Sequence, residues 1–280
     1  MTKCLLYLLL LLPIVSWADS IDVTAMSYNI RMNTPTDGPN AWPKRKEWVV
    51  DVITQSGAGI IGLQEVTPEQ KKYLARAMKG YGNYGVGRDN GSNKGEHCLI
   101  LYKESLYELL DSGTFWLSET PNVPGSKSWD AAITRIASWA KFREKASGRE
   151  FYFYNTHFDH KGELARYQAM LVLKEHLYAT AKGFRVIVAG DFNFRPDSKP
   201  YTLIDTDAGG PAMYDSYEKA IQKDGELTCC GFEVNGKPCS RIDYILVDYA
   251  TSVKSYKVIT ESRNGHYPSD HLPVVCKLRF

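Results

Sequence analysis

Carboxylates, amides and imidazoles recur in short motifs along this chain, each placed directly after an apolar run. The motifs are Ser27-Tyr28-Asn29, Leu63-Gln64-Glu65-Val66, Asn155-Thr156-His157, Gly190-Asp191-Phe192-Asn193, Arg241-Ile242-Asp243-Tyr244 and Ser269-Asp270-His271. Glu65, Asp191 and Asp270 offer hard anionic oxygen, and Asn29 and Asn193 offer neutral amides. Such groups, brought together, suit Mg²⁺ or Mn²⁺, which prefer oxygen ligands and retain waters. Two histidines beside a divalent cation suit phosphoryl chemistry, because metal and imidazolium neutralise phosphate oxygens while a carboxylate orients water. There is no P-loop, no GxSxG elbow and no HExxH. Each motif alone has a blander reading. A GDxN run is also a polar turn after a buried strand, and an Asp-His pair is also a surface ion pair. The weight lies in their number and order.

Groups of this kind must be presented by rigid elements, normally at strand ends. Strand patterns cover residues 21–31, 59–63, 97–102, 133–143, 150–157, 185–189, 241–247, 253–260 and 272–280. Phe151-Tyr152-Phe153-Tyr154 and Val186-Ile187-Val188 are continuous apolar runs, the mark of central strands buried on both faces. Helix patterns are fewer. Pro43 suits a first turn, Trp48, Val49, Val52 and Ile53 recur at helical spacing, and Gly57 stops the run. Thr67-Pro68-Glu69-Gln70 is a capping-box start for a helix to about Lys79. Residues 163–182 form the longest helix, with Leu164, Tyr167, Leu171, Tyr178, Met170, Leu173 and Leu177 read as one apolar stripe, and Gly183 ends it. Many strands with few helices predict two stacked sheets in one α/β domain.

The 280 residues are 44% hydrophobic and 24% charged, which excludes a disordered chain, a collagen or a coiled coil. Basic and acidic residues nearly balance, 34 against 32, so there is no general nucleic-acid footprint. Residues 1–18 read as a signal peptide: Lys3, an apolar run from Cys4 to Val15, and small residues at Ser16 and Ala18. The run is short for a membrane span. Residues 19–280 are then the exported domain, secreted or periplasmic, without a stable span and expected to be monomeric. Export implies an oxidising compartment. Cys98, Cys229, Cys230, Cys239 and Cys276 remain, an odd number. Cys239 is expected to bridge to Cys229 or Cys230, whereas Cys98 and Cys276 sit in apolar runs as buried thiols.

The ordered motif set resembles the endonuclease/exonuclease/phosphatase superfamily, with its DNase I-like fold, over nearly all of the mature chain, from Met26 to Val274. The resemblance implies an α/β (α+β) fold, a four-layered α/β sandwich of two central mixed β-sheets flanked by helices, with the site at one rim. It implies a Mg²⁺- or Mn²⁺-dependent phosphodiesterase or phosphomonoesterase. Residue by residue, it places Asn29, Glu65 and Asp270 near the metal and Asp191 on the attacking water. Asn193 falls on the phosphate, His271 in acid–base or phosphate contact, and Asp243 behind His271. His157 would be the second histidine, backed by Glu96, for which a solvated loop charge is the alternative. Which histidine is the main general acid is left open.

The substrate, a phosphate ester, is less legible. Arg88, Arg135 and His160 are candidates to bind phosphate or a head group. Segments 84–95, 112–128, 158–161 and 206–213 are candidate selectors. Trp139 is expected in the core, and Trp116 as a loop anchor. An extracellular nuclease, a sphingomyelinase-like phospholipase C and a non-catalytic secreted binding module are the alternatives. Near-neutral charge argues against a tight duplex-DNA binder.

Overall fold

The computed structural model describes residues 20–236 and 238–280. The expected signal peptide lies outside them. In chain order the strands and helices begin with β1 (Asp22–Asn29), α1 (Trp42–Gln55), β2 (Ile60–Val66), α2 (Pro68–Ala77), β3 (Tyr81–Tyr84) and β4 (His97–Lys103). There follow β5 (Tyr107–Trp116), β6 (Ile136–Glu144), β7 (Glu150–His157), α3 (Glu163–Thr180) and β8 (Arg185–Asp191). The chain ends through β9 (Tyr214–Asp215), α4 (Ser216–Lys219), β10 (Gln222–Asp224), β11 (Asp243–Val247), β12 (Ser252–Val258) and β13 (Val274–Arg279). One sheet has the order β10-β12-β13-β1-β2-β4-β3 and the other β5-β6-β7-β8-β11-β9. Both mix parallel and antiparallel neighbours.

Period-two alternation builds the layers. Val23, Ala25 and Ile60 of the first sheet face Phe151, Phe153, Ile187 and Ile245 of the second, forming the inter-sheet core. The alternate residues Met26, Tyr28, Ile61 and Leu63 face Trp42, Val49, Val52, Ile53 and Leu74, contributed by α1 and α2. On the far side Tyr152, Tyr154, Val186 and Val188 pack against Ala169, Met170, Leu173 and Leu177 of α3. The result is the expected four-layered sandwich, helix on sheet on sheet on helix. One polar seam crosses its middle. Gln64 Nε2 donates to Asn155 Oδ1 at 2.7 Å, and Asn155 Nδ2 donates to the carbonyls of Leu63 and Leu99. Gly62 makes room for it, since a Cβ there would stand 2.7 Å from Asn155 Oδ1.

Four strands escape the pattern reading, β3, β5 and the two- and three-residue strands β9 and β10. β3 is only half buried, and β5 carries a bulge between Leu109 and Asp111 that resets its alternation. Residues 112–116, read as selector loop, are therefore the end of an edge strand. The α3 stripe is narrower than expected. Met170, Leu173 and Leu177 are buried, but Leu164 and Tyr178 are exposed, because only one arc of the helix can face the sheet. Lys174 takes the buried place instead, with its Nζ donating to the carbonyls of Leu203 and Thr206. The α2 capping box forms as read, Thr67 accepting from the Gln70 amide and Gln70 returning to Thr67. Cys239 pairs with Cys230, while Cys98, Cys229 and Cys276 are free. The paired ends of β1 and β13, Asp22 opposite Arg279, lie at the rim opposite Asn29.

Candidate active site

Register puts three candidate residues side by side across one sheet. His157 ends β7 opposite Asp191 at the end of β8, and Asp191 stands opposite Asp243 at the start of β11. All three are buried. Asn29, at the end of β1, reaches across from the other sheet. Its Nδ2 lies 3.0 Å from both Glu65 Oε1 and Asp191 Oδ2. Glu65 reaches the rim through a bulge: β2 shifts register against β4 between Leu63 and Val66, and Glu65 adopts φ 61°. Arg31 and Asn193 also have left-handed backbone, φ 56° and 51°. Such strain concentrates where a site dictates the geometry.

Asp191 is the hub. Its Oδ2 is 3.4 Å from His157 Nε2 and 3.8 Å from His271 Nε2, and its Oδ1 accepts from the Asn193 amide at 3.0 Å. Asp243 Oδ2 lies 2.9 Å from His271 Nδ1, as the motif reading expected. Asp243 Oδ1 is buried without a hydrogen bond to any described residue. The two imidazoles are electrostatically opposite. Burial works against charge on His271, but Asp243 and Asp191 outweigh it and hold the imidazolium well above the ordinary range. Burial, with Arg135 and Arg88 nearby, pushes His157 well below that range. Burial and the neighbouring Asp243 push Asp191 up to about 7. Burial opposes ionisation of Glu65 as well, yet the Asn29 amide and the Met32 N–H hold its pKa below the usual carboxylate value, so it stays ionised.

Arg88, Glu96, Arg135 and His157 converge on one narrow hollow beside Glu65. The structure corrects one pairing there. Glu96 bonds Arg88 at 2.7 Å, and the carboxylate beside His157 is Asp191. Nearly buried Arg135 has Nη2 3.1 Å from His160 Nδ1, while His160 is itself exposed. Arg135 Nε lies 3.8 Å from Asp159 Oδ2, and neither Nε nor Nη1 hydrogen-bonds to a described residue. Trp116 is the anchor expected, donating to the Arg88 carbonyl at 2.7 Å. Asn193 hangs on the Phe158 carbonyl at 3.1 Å. Asp270 is half-buried, 3.8 Å from Arg31.

A divalent cation can be tested against these residues. Asp191, Asp243 and His271 offer ligand atoms within 4.8 Å of one another. That trio already contains its own cation, the His271 imidazolium. Glu65 and Asp270 are instead a carboxylate pair with Arg31 as the adjacent positive charge, and Asn29 donates its amide N–H to Glu65 while its oxygen accepts from the Arg31 N–H. Hard oxygens short of positive charge fit Mg²⁺ or Mn²⁺.

Sequence reasoning missed the residues that hold these loops. Arg45 of α1 is buried and donates to the carbonyls of Ile30, Arg31, Met32, Asn40 and Pro268, so one guanidinium joins the Asn29 and Asp270 loops. Gln70 Nε2 adds a bond to the Arg31 carbonyl at 2.8 Å. Asp159 caps the backbone at Ala132, Ile133, Lys161 and Gly162. An arginine inside a charged helix start carries no pattern that separates it from a solvated face.

A rim of acid, amide and imidazole on a two-sheet sandwich defines a class of hydrolase. The model of the Endonuclease/Exonuclease/phosphatase family matches residues 26–271, and the chain belongs to that family. It is a phosphoester hydrolase. An endonuclease/exonuclease/phosphatase of Bacteroides vulgatus superposes with a TM-score of 0.87 at 37% identity, covering 92% of this chain and 98% of that one. A mannosyl-6-phosphatase of Bacteroides thetaiotaomicron gives 0.85 at 36% identity, covering 92% and 100%. Nocturnin of Rattus norvegicus is 26% identical over 267 residues, 85% of this chain, which spans 59% of that protein's length.

Proposed function

We propose that the protein is an exported phosphomonoesterase, dependent on Mg²⁺ or Mn²⁺, that releases phosphate from a sugar phosphate. The observation that carries the hydrolytic reading is Asp191 held between two imidazoles, with Asn29 tying it to Glu65. The mannosyl-6-phosphatase likeness supports a monoester of a sugar over a nucleic acid. Asp191 orients a water and takes its proton as the water oxygen attacks phosphorus in line. The bond to the leaving oxygen breaks on the opposite side, the electron pair stays with that oxygen, and it takes up a proton from solvent to leave as the alcohol. Asp243 keeps His271 charged and oriented, so His271 and the Asn193 amide stabilise negative phosphate oxygens. His157, neutral beside Arg135 and Arg88, binds the same group. Glu65 and Asp270, with Asn29 holding Glu65 in place, would hold the metal, which when bound would supply positive charge to the phosphate oxygens.

The test is ³¹P NMR of the mature protein with Mg²⁺ and a panel of sugar phosphates, nucleotides, an oligonucleotide and choline phospholipids, with an EDTA control. Inorganic phosphate growing from the sugar phosphates, and abolished by EDTA, is expected. New monoester signals from the oligonucleotide or lipid would make the protein a phosphodiesterase instead. No change in any sample would overturn the assignment.

A further inference from the structure

We propose that the open cleft beside Asp270 is the subsite for the polyhydroxylated leaving group, a refinement that rests on the sugar-phosphatase reading above. The cleft measures about 460 Å³, within the usual range for small-molecule sites of roughly 300–1,000 Å³. Arg31, Asp37 and Asn40 form one wall. Phe232, Glu233, Gly236 and Pro238, from the loop closed by the Cys230–Cys239 bridge, line the other. The cleft opens from the reacting end, since Asp270 and Cys229 both line it. Asp270 precedes His271 in the chain, and Cys229 pairs with His271 along the backbone. The hollow at the His157 end has a volume of about 10 Å³, space for roughly one water. The Asp270 side therefore offers a ring-sized group room that the His157 hollow does not.

The lining says what that group is. Asn40, Glu233 and Ser240 present side chains that hydrogen-bond to no other described residue, leaving an amide, a carboxylate and a hydroxyl for ligand hydroxyls. Phe232 offers an apolar face, the surface on which the C–H side of a pyranose packs. Its ring is fixed from the protein side by Arg45, whose guanidinium lies 5.5 Å from the ring centroid. Asp37 is paired with Arg31 at 2.9 Å, which leaves Glu233 as the carboxylate of the described lining turned to ligand hydroxyls.

The experiment compares a hexose 6-phosphate with methyl phosphate, which has the same ester chemistry and no ring. The readout is the ratio of the two kcat/KM values for the wild type, Phe232→Ala and Glu233→Gln. We expect the ratio to fall about tenfold or more in Phe232→Ala, through KM, and in the same direction in Glu233→Gln. A ratio unchanged in both variants overturns the subsite. Glu233 is exposed, so Glu233→Gln keeps the fold if Phe232→Ala does not. A wild type that hydrolyses neither ester sinks the phosphatase reading, and binding then decides the cleft separately. Calorimetry on Asp191→Asn with Mg²⁺ should show the hexose phosphate binding more tightly than methyl phosphate, an advantage lost with Phe232→Ala. Equal binding of the two esters overturns the proposal.

Discussion

A single carboxylate organises the chemistry of this rim. Asp191 touches both imidazoles and an amide from the opposite sheet, so its loss removes the base and unbalances two neighbours at once. Asp191→Asn and His271→Ala should each lower turnover by about 10²-fold or more, measured as phosphate release at saturating substrate. Near-normal rates in both would remove the assigned roles. Another histidine reports on stability instead. His176 stacks on Phe115 with ring centroids 4.0 Å apart, and burial pushes it down to about 4. Its unfolded value is about 6.5. The unfolded chain therefore binds a proton the folded one refuses, and stability present above about pH 6.5 is lost as pH falls toward 4. The ring is partly exposed, so the effect is about 1–2 kcal/mol after solvent screening. Urea midpoints from pH 7 to 4.5 should fall more steeply for the wild type than for His176→Gln.

At the scale of elements, the site is a consequence of strand ends, which is why so much of it was legible. Asn29, His157, Asp191 and Asp243 each follow or open an apolar run whose period declares a strand, and register then makes neighbours of them. Legibility failed where a local device broke the period. The β5 bulge hid an edge strand, and Glu65 gained its aim from a bulge with no sequence mark beyond its own motif. It failed again where a residue works through backbone carbonyls. Arg45 has no side-chain partner of opposite charge in its hydrogen bonds, so no charge pattern exposes it. Arg45→Ala should destabilise the fold by about 3 kcal/mol, since buried carbonyls lose a charged donor. It should also weaken Mg²⁺ activation by loosening the Asn29 and Asp270 loops. Arg45→Lys should recover part of the stability and less of the activation. Equal Mg²⁺ dependence in Arg45→Ala and the wild type would make it a scaffold residue alone.

Across the whole molecule, the two sheets must keep a fixed spacing, because Asn29 comes from one sheet and Asp191 from the other. The Gln64–Asn155 seam sets that spacing near the rim. Gly62→Ala would push a methyl group against Asn155 and Ala189, and should cost about 1–3 kcal/mol in urea unfolding. If the seam aligns the halves of the site, kcat should fall in the protein that remains folded. An unchanged kcat would show that the rim tolerates a shifted seam. The same architecture sends both described chain ends away from the chemistry. Ile21 donates to the Phe280 carbonyl at 2.7 Å, and β1 carries Asn29 about 23 Å further along. A bead or an electrode attached beside Ile21 or Phe280 would therefore stand at the rim away from Asn29. Enzyme immobilised through Ile21 or Phe280 should keep its catalytic mouth facing the solution.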